Sequence, residues 1–390
     1  MSEHIGWLGA DYTDYLGLKD FLEKQSGGNP YLASIAHGNT HKYHHDHFGQ
    51  DVINLSGYDY LGLNENEQVR RACADAAKTY GVSTAASRVA SGELDIHHKL
   101  ERSLSSFLGA EASVVMVGGH ATNVCTVGHL FKRNFTVICD QYSHNSIMVG
   151  AQLSGAPVLR FRHNDLDDLV SKLEEARTQH VAVCVEGLYS MDGDLPPLAD
   201  IVALKKSYDF ILYVDEAHSI GTVGETGRGV CEATGVPPTD VDVIMGTLSK
   251  TLASCGGFIA GSKSLVDYIK ATSPGFVFST GLPAPLCAAA LKALEILDNE
   301  PLMVAELRRK SKLLADKLDL ENSGTPIVPV MTPADKCYSI AAQCVKRGVN
   351  VFPVTYPAVP HAKSRLRLFV SRLHSTSQIS FAAQVVADSI

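Results

Sequence analysis

The sequence predicts an α/β fold: a mostly parallel central sheet flanked by helices, followed by a smaller α+β C-terminal domain. Two observations carry this. Short apolar runs recur at 113–117, 136–139, 157–161, 181–185, 210–214, 241–245 and 257–260, most of them separated by ten to twenty residues of helical pattern. Alternating strand and helix builds a parallel sheet covered on both faces. Past residue 285 the pattern changes to two long helical stretches, 285–299 and 301–318, and then to strands near 327–330, 350–354 and 366–370. The expected division is an N-terminal segment 1–50, a large domain 51–285 and a small domain 286–390.

The elements follow in order. Tyr15, Leu18, Phe21 and Leu22 recur at helical spacing and predict a helix near 13–25, stopped by Ser-Gly-Gly-Asn-Pro. A run with five histidines, His37, His41, His44, His45 and His47, reads as a solvated hairpin. It lacks a neighbouring cysteine and regular ligand spacing, so no metal site is expected. Leu100, Leu104, Phe107 and Leu108 mark a helix, Ser113–Val117 a strand, and Gly118-Gly119-His120-Ala121 opens the next helix.

Bulk properties narrow the function. The 390 residues are 45% hydrophobic, enough for a large core. A net charge of -8 argues against a polyanion partner, so no nucleic acid is expected. The N-terminal stretch lacks the pattern of a secretory leader, and no apolar run is long enough to span a bilayer. Nine scattered cysteines without a C-x-x-C pair fit a reducing cytoplasm.

Chemistry concentrates at three strand ends. One apolar run ends in Asp215, with His218 three residues on. Another ends in Glu186, followed by Ser190. A third leads to Thr247 and Lys250, the lysine standing among small residues. Asp215 at a buried strand end is costly unless it meets a cation or donors; the plain alternative is a carboxylate capping the next helix. Asp-Glu-Ala-His also spells a helicase box, but that requires a phosphate-cradling Gly-Lys upstream, and the chain has no Gly-Lys pair. A strand-end aspartate, a nearby histidine and a loop lysine together suggest pyridoxal phosphate (PLP). That cofactor needs a lysine for its aldehyde, a carboxylate for its ring nitrogen and backbone N–H groups at a helix N-terminus for its phosphate.

The chain resembles the α-oxoamine synthases, PLP enzymes of fold type I, over about residues 50–375. The motifs are YDYLGL at 58–63, ASRVASG at 86–92 followed by His97, DQYSHNS at 140–146, EGLYSMDGDLPPL at 186–198, VDEAHSIGTVGETGRG at 214–229, TLSKTLASCGGFIAG at 247–261, FSTGLPAP at 278–285 and RLRL at 365–368. The resemblance implies a decarboxylative condensation of an amino acid with an acyl thioester, giving an α-aminoketone, carbon dioxide and free thiol. It implies that Lys250 holds PLP as a Schiff base and shuttles the Cα proton. Asp215 would pair with the pyridine nitrogen, His144 would stack on the ring, and His218 and Ser190 would bond around its phenolic oxygen. Gly119, His120 and Thr247 would hold the phosphate. Ser279 and Thr280 would reach the phosphate of a neighbouring subunit, implying a homodimer with shared active sites. Arg367 would grip the amino-acid carboxylate, with Tyr58, His97 and Glu186 also placed at the substrate.

Two departures leave the substrates open. Tyr58 stands where many members have asparagine, whereas members resembling serine palmitoyltransferase tend to have tyrosine there, and Pro357-Ala358-Val359-Pro360 lacks a hydroxyl that several members carry. Coenzyme A and a carrier protein's phosphopantetheine present the same thioester, and Arg308, Arg309, Lys310 and Lys312 form a basic run that is either a carrier-docking patch or a solvated helix face. An aminotransferase and a non-catalytic scaffolding relative are the alternatives; the latter typically lacks the lysine that Lys250 supplies.

Overall fold

The computed structural model describes residues 35–45, 49–322, 324–356 and 358–390. The expected helix near 13–25 and the side chains of His37 and His47 lie outside the described residues. Strands β1 (Ile35–Asn39), β2 (Lys42–His45) and β3 (Gln50–Asn54) form an antiparallel meander. Its histidines are drawn into local pairs: His41 Nδ1 lies 3.1 Å from Glu65, and His44 Nδ1 3.1 Å from Asp51.

The central sheet has seven strands: β4 (Ala112–Met116), β5 (Phe135–Asp140), β6 (Val158–Phe161), β7 (His180–Glu186), β8 (Ile211–Asp215), β9 (Val243–Thr247) and β10 (Gly257–Gly261). Their order is β4-β10-β9-β8-β7-β5-β6, and only β10 runs antiparallel to its neighbours. Successive side chains on a strand point to opposite faces, so each strand feeds two cores. Val115, Ile138, Val183, Leu212, Ile244 and Phe258 enter one; Val114, Val137, Ala182, Tyr213, Met245 and Ile259 enter the other. This double burial explains why the strands read as continuous apolar runs.

The C-terminal part carries a three-stranded sheet of β11 (Ile327–Met331), β13 (Phe352–Val354) and β14 (Arg365–Phe369), ordered β11-β14-β13. The single strand expected over 350–354 is two. β12 (Val349–Asn350) pairs in parallel with β3, and after Val351 the chain turns to pair β13 with β14. The expected divisions also fall within elements. Residue 51 lies inside β3, whose sheet is completed by the C-terminal β12, and residue 285 lies inside the helix Ala284–Asn299. Cys287, Ala290, Leu294 and Leu297 of that helix sit in the core shared with the helices Glu67–Tyr80 and Asp95–Leu108. The basic run is dispersed on the helix Leu302–Lys317. Lys310 is buried against the Arg372 carbonyl and Glu306, Arg308 donates to the Gly224 carbonyl, and of the four only Arg309 and Lys312 are exposed. The helix turns Lys310 inward and leaves Arg309 and Lys312, three residues apart, exposed on one face.

Candidate active site

The C-terminal ends of β7, β8 and β9 open on one cavity of about 330 Å³. Such crevices beyond parallel strand ends are where ligands bind in open α/β sheets. Tyr58, Gly119, His120, His144, Glu186, Ser190, Asp215, His218, Thr247, Lys250 and Arg367 all line it. Tyr58 and Arg367 lie far apart in sequence, yet they reach the same mouth, because the Phe369 N–H at the end of β14 donates to the Leu55 carbonyl just after β3 at 2.7 Å.

Lys250 sits in a loop that closes on itself: Leu248 N–H donates to the Gly256 carbonyl, Ser254 N–H to that of Leu248, and Ala253 N–H to that of Lys250. Small side chains permit this tight path, and Ala253 takes a left-handed backbone, φ 51°. The Lys250 amine stands over the Tyr58 ring, 5.7 Å from its centroid. Burial pulls its pKa down to about 8, against the opposing pull of Asp215 and Glu186. A fraction of the amine is thus neutral at physiological pH, the form a nucleophile needs.

Asp215 is held from behind. Its Oδ2 accepts from Asn123 Nδ2 at 2.7 Å and its Oδ1 from the Ala217 N–H at 2.9 Å. Asn123 is in turn oriented by Tyr213, whose hydroxyl donates to Asn123 Oδ1 at 2.7 Å. Glu186, paired with Asp215 across β7 and β8, accepts the His144 N–H at 2.5 Å. Burial, and then the adjacent Asp215 charge, push its pKa well above the carboxylate range.

Two histidines are kept neutral by burial. The His144 ring is fixed through Nδ1, 2.7 Å from Ser146 Oγ. His218 Nδ1 lies 2.7 Å from the hydroxyl of Tyr60, whose own pKa is raised well above its ordinary value by burial. This hydrogen bond fixes the ring of His218 through Nδ1 and leaves Nε2 for another partner.

At the opposite wall the helix Gly119–Leu130 begins at the cavity. A Cβ on Gly119 would lie 2.7 Å from Thr247 Oγ1, so the absence of a side chain keeps this cradle open. Thr247 Oγ1 and Ser249 Oγ are 2.7 Å apart beside it. Free backbone amides, a helix N-terminus and two hydroxyls suit a phosphate.

Arg367 is buried, and none of its described contacts is to a carboxylate. Among the described residues its Nη atoms reach only the Ser190 carbonyl at 3.4 Å, Met191 Sδ at 3.5 Å and the Tyr58 hydroxyl at 3.5 Å, and Nε has no partner. Its guanidinium lies over the rings of Phe369 and Phe352, at 4.6 and 5.3 Å. A buried guanidinium lacking an anion is a receptor for one.

A family model for aminotransferase class I and II matches residues 50–386. The chain belongs to this family, in its α-oxoamine synthase branch. An 8-amino-7-oxononanoate synthase of Anaeromyxobacter sp. is 38% identical, the match covering 98% of this chain and 95% of the relative. A serine palmitoyltransferase of Sphingobacterium spiritivorum is 37% identical, covering 86% of each chain. Among solved structures, a Sphingomonas wittichii serine palmitoyltransferase superposes with a TM-score of 0.93 at 28% identity over 97% of both chains. A serine palmitoyltransferase carrying PLP gives 0.92 at 27%, again over 97% of both.

Three expected residues of this α-oxoamine synthase chain lie away from the cavity lining. His97 is buried on the helix Asp95–Leu108, accepting the Leu94 N–H at Nδ1 (3.1 Å) and donating through Nε2 to the Leu282 carbonyl (2.7 Å). Both nitrogens are used within the fold, so the structure places His97 as a helix-start brace and not at the substrate. Ser279 and Thr280 lie on a turn beside the exposed Phe278, where Thr280 bridges to Ser87. Conversely, Asn123, Ser146, Tyr60, Ser249 and Met191 belong to the site and were not singled out from sequence. The signal available for Asn123 was its place one helical turn after Gly119, on the same helix face.

Proposed function

We propose that the chain catalyses the PLP-dependent condensation of an amino acid with an acyl thioester. The thioester is borne on coenzyme A or on a carrier protein. The net reaction joins the acyl carbon to Cα, breaks the bond from Cα to the carboxylate and the bond from acyl carbon to sulfur, and takes up one proton. The products are an α-aminoketone, carbon dioxide and a thiol. The observation that carries this reading is a cavity holding two basic side chains, Lys250 and Arg367, with no ion pair to a carboxylate among the described residues, around the braced Asp215.

The residues present fit the cofactor. Lys250 would hold it, Asp215 would face its ring nitrogen, His144 would form one wall, and the Gly119 end of the helix with Thr247 and Ser249 would take its phosphate. PLP, when bound, supplies an electron-accepting ring that makes the α-hydrogen of an amino acid acidic. The protein does the rest. Arg367 orients the substrate carboxylate as a charged fork. Lys250 would be the base for the Cα proton, with a pKa near the working pH as proton transfer requires. Asp215, pinned by Asn123 and the Ala217 N–H, keeps a negative charge in place with no reorganisation during reaction. His218, neutral and oriented by Tyr60, presents Nε2 for a hydrogen bond.

Assignment of Ser279 and Thr280 to a second subunit's phosphate, a homodimer with shared sites and a cytoplasmic setting complete the proposal. It is supported by the likeness to an 8-amino-7-oxononanoate synthase over nearly the whole chain and by the exposure of Phe278 next to those residues; among the described residues no helix is long and apolar enough to cross a membrane. The test is a mass-spectrometric screen of amino acids against acyl-coenzyme A and acyl-carrier substrates, with sedimentation on the same samples. Carbon dioxide and thiol should appear in equal amounts and vanish with Lys250→Ala. Amino transfer to a keto acid without thiol release would overturn the reaction, and full activity in a monomer would overturn the shared site.

A further inference from the structure

The turns that build the cavity meet outside it at His163, just past β6. Its Nδ1 lies 3.0 and 3.1 Å from the two oxygens of Asp140, and its Nε2 2.8 Å from Asp194 Oδ2. A neutral imidazole has one N–H and can serve only one of these carboxylates; both contacts are hydrogen bonds only if both nitrogens carry hydrogen. The geometry therefore selects the imidazolium. Asp140 is fully enclosed and also accepts the N–H groups of Tyr142 (2.7 Å) and Asn164 (3.0 Å). Asn164 Nδ2 repeats the link, its two hydrogens going to Asp194 Oδ2 at 3.1 Å and the Leu195 carbonyl at 3.0 Å, so its longer 3.3 Å approach to His163 Nε2 takes no hydrogen and leaves that nitrogen to donate to Asp194.

What the imidazolium joins gives it meaning. Asp140 ends β5 and opens the turn that delivers His144. Asp194 closes the turn that starts at Tyr189, whose N–H donates to the Asp194 carbonyl at 3.0 Å. That turn presents the Ser190 carbonyl and Met191 Sδ to Arg367, and its Met191 carbonyl and Asp192 are gripped by Arg365 at 2.8 and 2.6 Å. The titratable and charged groups facing the ring are the carboxylates of Asp140 and Asp194, the phenol rings of Tyr142 and Tyr189 at 4.6 and 4.5 Å, and, beyond Tyr142, the Lys363 ammonium 5.1 Å from that phenol ring's centroid; the neutral Asn164 amide lies 3.3 Å from Nε2.

We propose that His163 is a positioning residue: as an imidazolium clamped between Asp140 and Asp194 it fixes the His144 turn against the Ser190–Met191 turn, and so sets Arg367 for the amino-acid carboxylate. This rests on the proposed reaction for its consequence at the substrate. Burial alone would lower the imidazole pKa, but the hydrogen bonds its ring donates to the two carboxylates outweigh it and lift the value to about 9. The sign follows: the clamp is fully present below the free-histidine value of 6.5 and is lost as pH rises through about 9.

The test uses the holoenzyme with isotope-labelled histidine, His163→Gln assigning the resonance. Nitrogen shifts should show both ring nitrogens protonated at pH 8, and Asp194→Asn should lower the midpoint by a unit or more. His163→Gln should raise the amino-acid KM about tenfold while kcat changes less than threefold, and Asp194→Asn should raise KM at pH 8 but not at pH 6. A wild-type midpoint near 6.5, or an unchanged KM in both variants, overturns the proposal. If His163→Gln fails to fold, the Asp194→Asn titration and its KM at two pH values decide. A wild type that binds PLP but no amino acid would sink the proposed reaction instead, and the His163 midpoint would still decide the clamp.

Discussion

Replacing Arg367 by methionine should make the protein more stable and worse at binding its amino acid. The two effects share one cause. Arg367 is only 6% exposed, its Nε has no partner, and its best contacts, 3.4–3.5 Å, are long for hydrogen bonds. A buried ion without a counter-charge carries an effective penalty of several kcal/mol. Against this stand two ring contacts, at 4.6 and 5.3 Å, worth about 1–2 kcal/mol each when desolvated. Methionine of similar length keeps the packing on Phe352 and Phe369, so a net gain of about 1–2 kcal/mol is expected. For 390 residues at about 2 cal/mol/K of unfolding entropy each, that is roughly 1–3 °C in Tm. Losing a charge-assisted fork to the substrate carboxylate costs about 3 kcal/mol, a rise in KM of more than a hundredfold. Thermal unfolding of the cofactor-free protein and an amino-acid titration of the holoenzyme measure the two. A variant that is less stable than wild type, or that binds the amino acid as before, would refute the argument.

Lys250→Met should be more stable than wild type at pH 7, because the folded state depresses the amine to about 8 and the unfolded chain binds the extra proton between there and 10.5. The gap, about 3 kcal/mol at most, should close as pH rises from 8 to 10.5; a pH-independent gap in denaturant melts of the cofactor-free protein would exclude the burial cause. Gly119→Val puts a side chain where even a Cβ would be 2.7 Å from Thr247 Oγ1. PLP affinity should fall at least tenfold by spectroscopic titration, beyond what any loss of stability in the cofactor-free melt accounts for, and an unaltered affinity would remove this cradle from phosphate binding.

Much of this site was legible in the chain because its parts are local. Strand ends in a parallel sheet converge on one edge whatever the loops do, so Glu186, Asp215 and Thr247 could be placed together from apolar runs alone. Small residues around Lys250 announced a tight loop with room beside it. Long motifs shared with a known family then supplied roles. What could not be read were relations set by packing across sequence distance. His97 looked like a site residue, yet both its nitrogens are spent on Leu94 and Leu282. The basic run at 308–312 looked continuous, but helical rotation buries Lys310 and leaves Arg309 outside. β12 and β13 could not be told apart, because only their different partners, β3 and β14, divide one extended segment. The brace of Asn123 on Asp215 and the clamp of His163 between Asp140 and Asp194 join residues 92, 23 and 31 positions apart. Periodicity and motif spacing report on neighbours along the chain, whereas the charge state of a buried histidine or the freedom of a buried arginine depends on which distant groups the folded core brings within 3 Å.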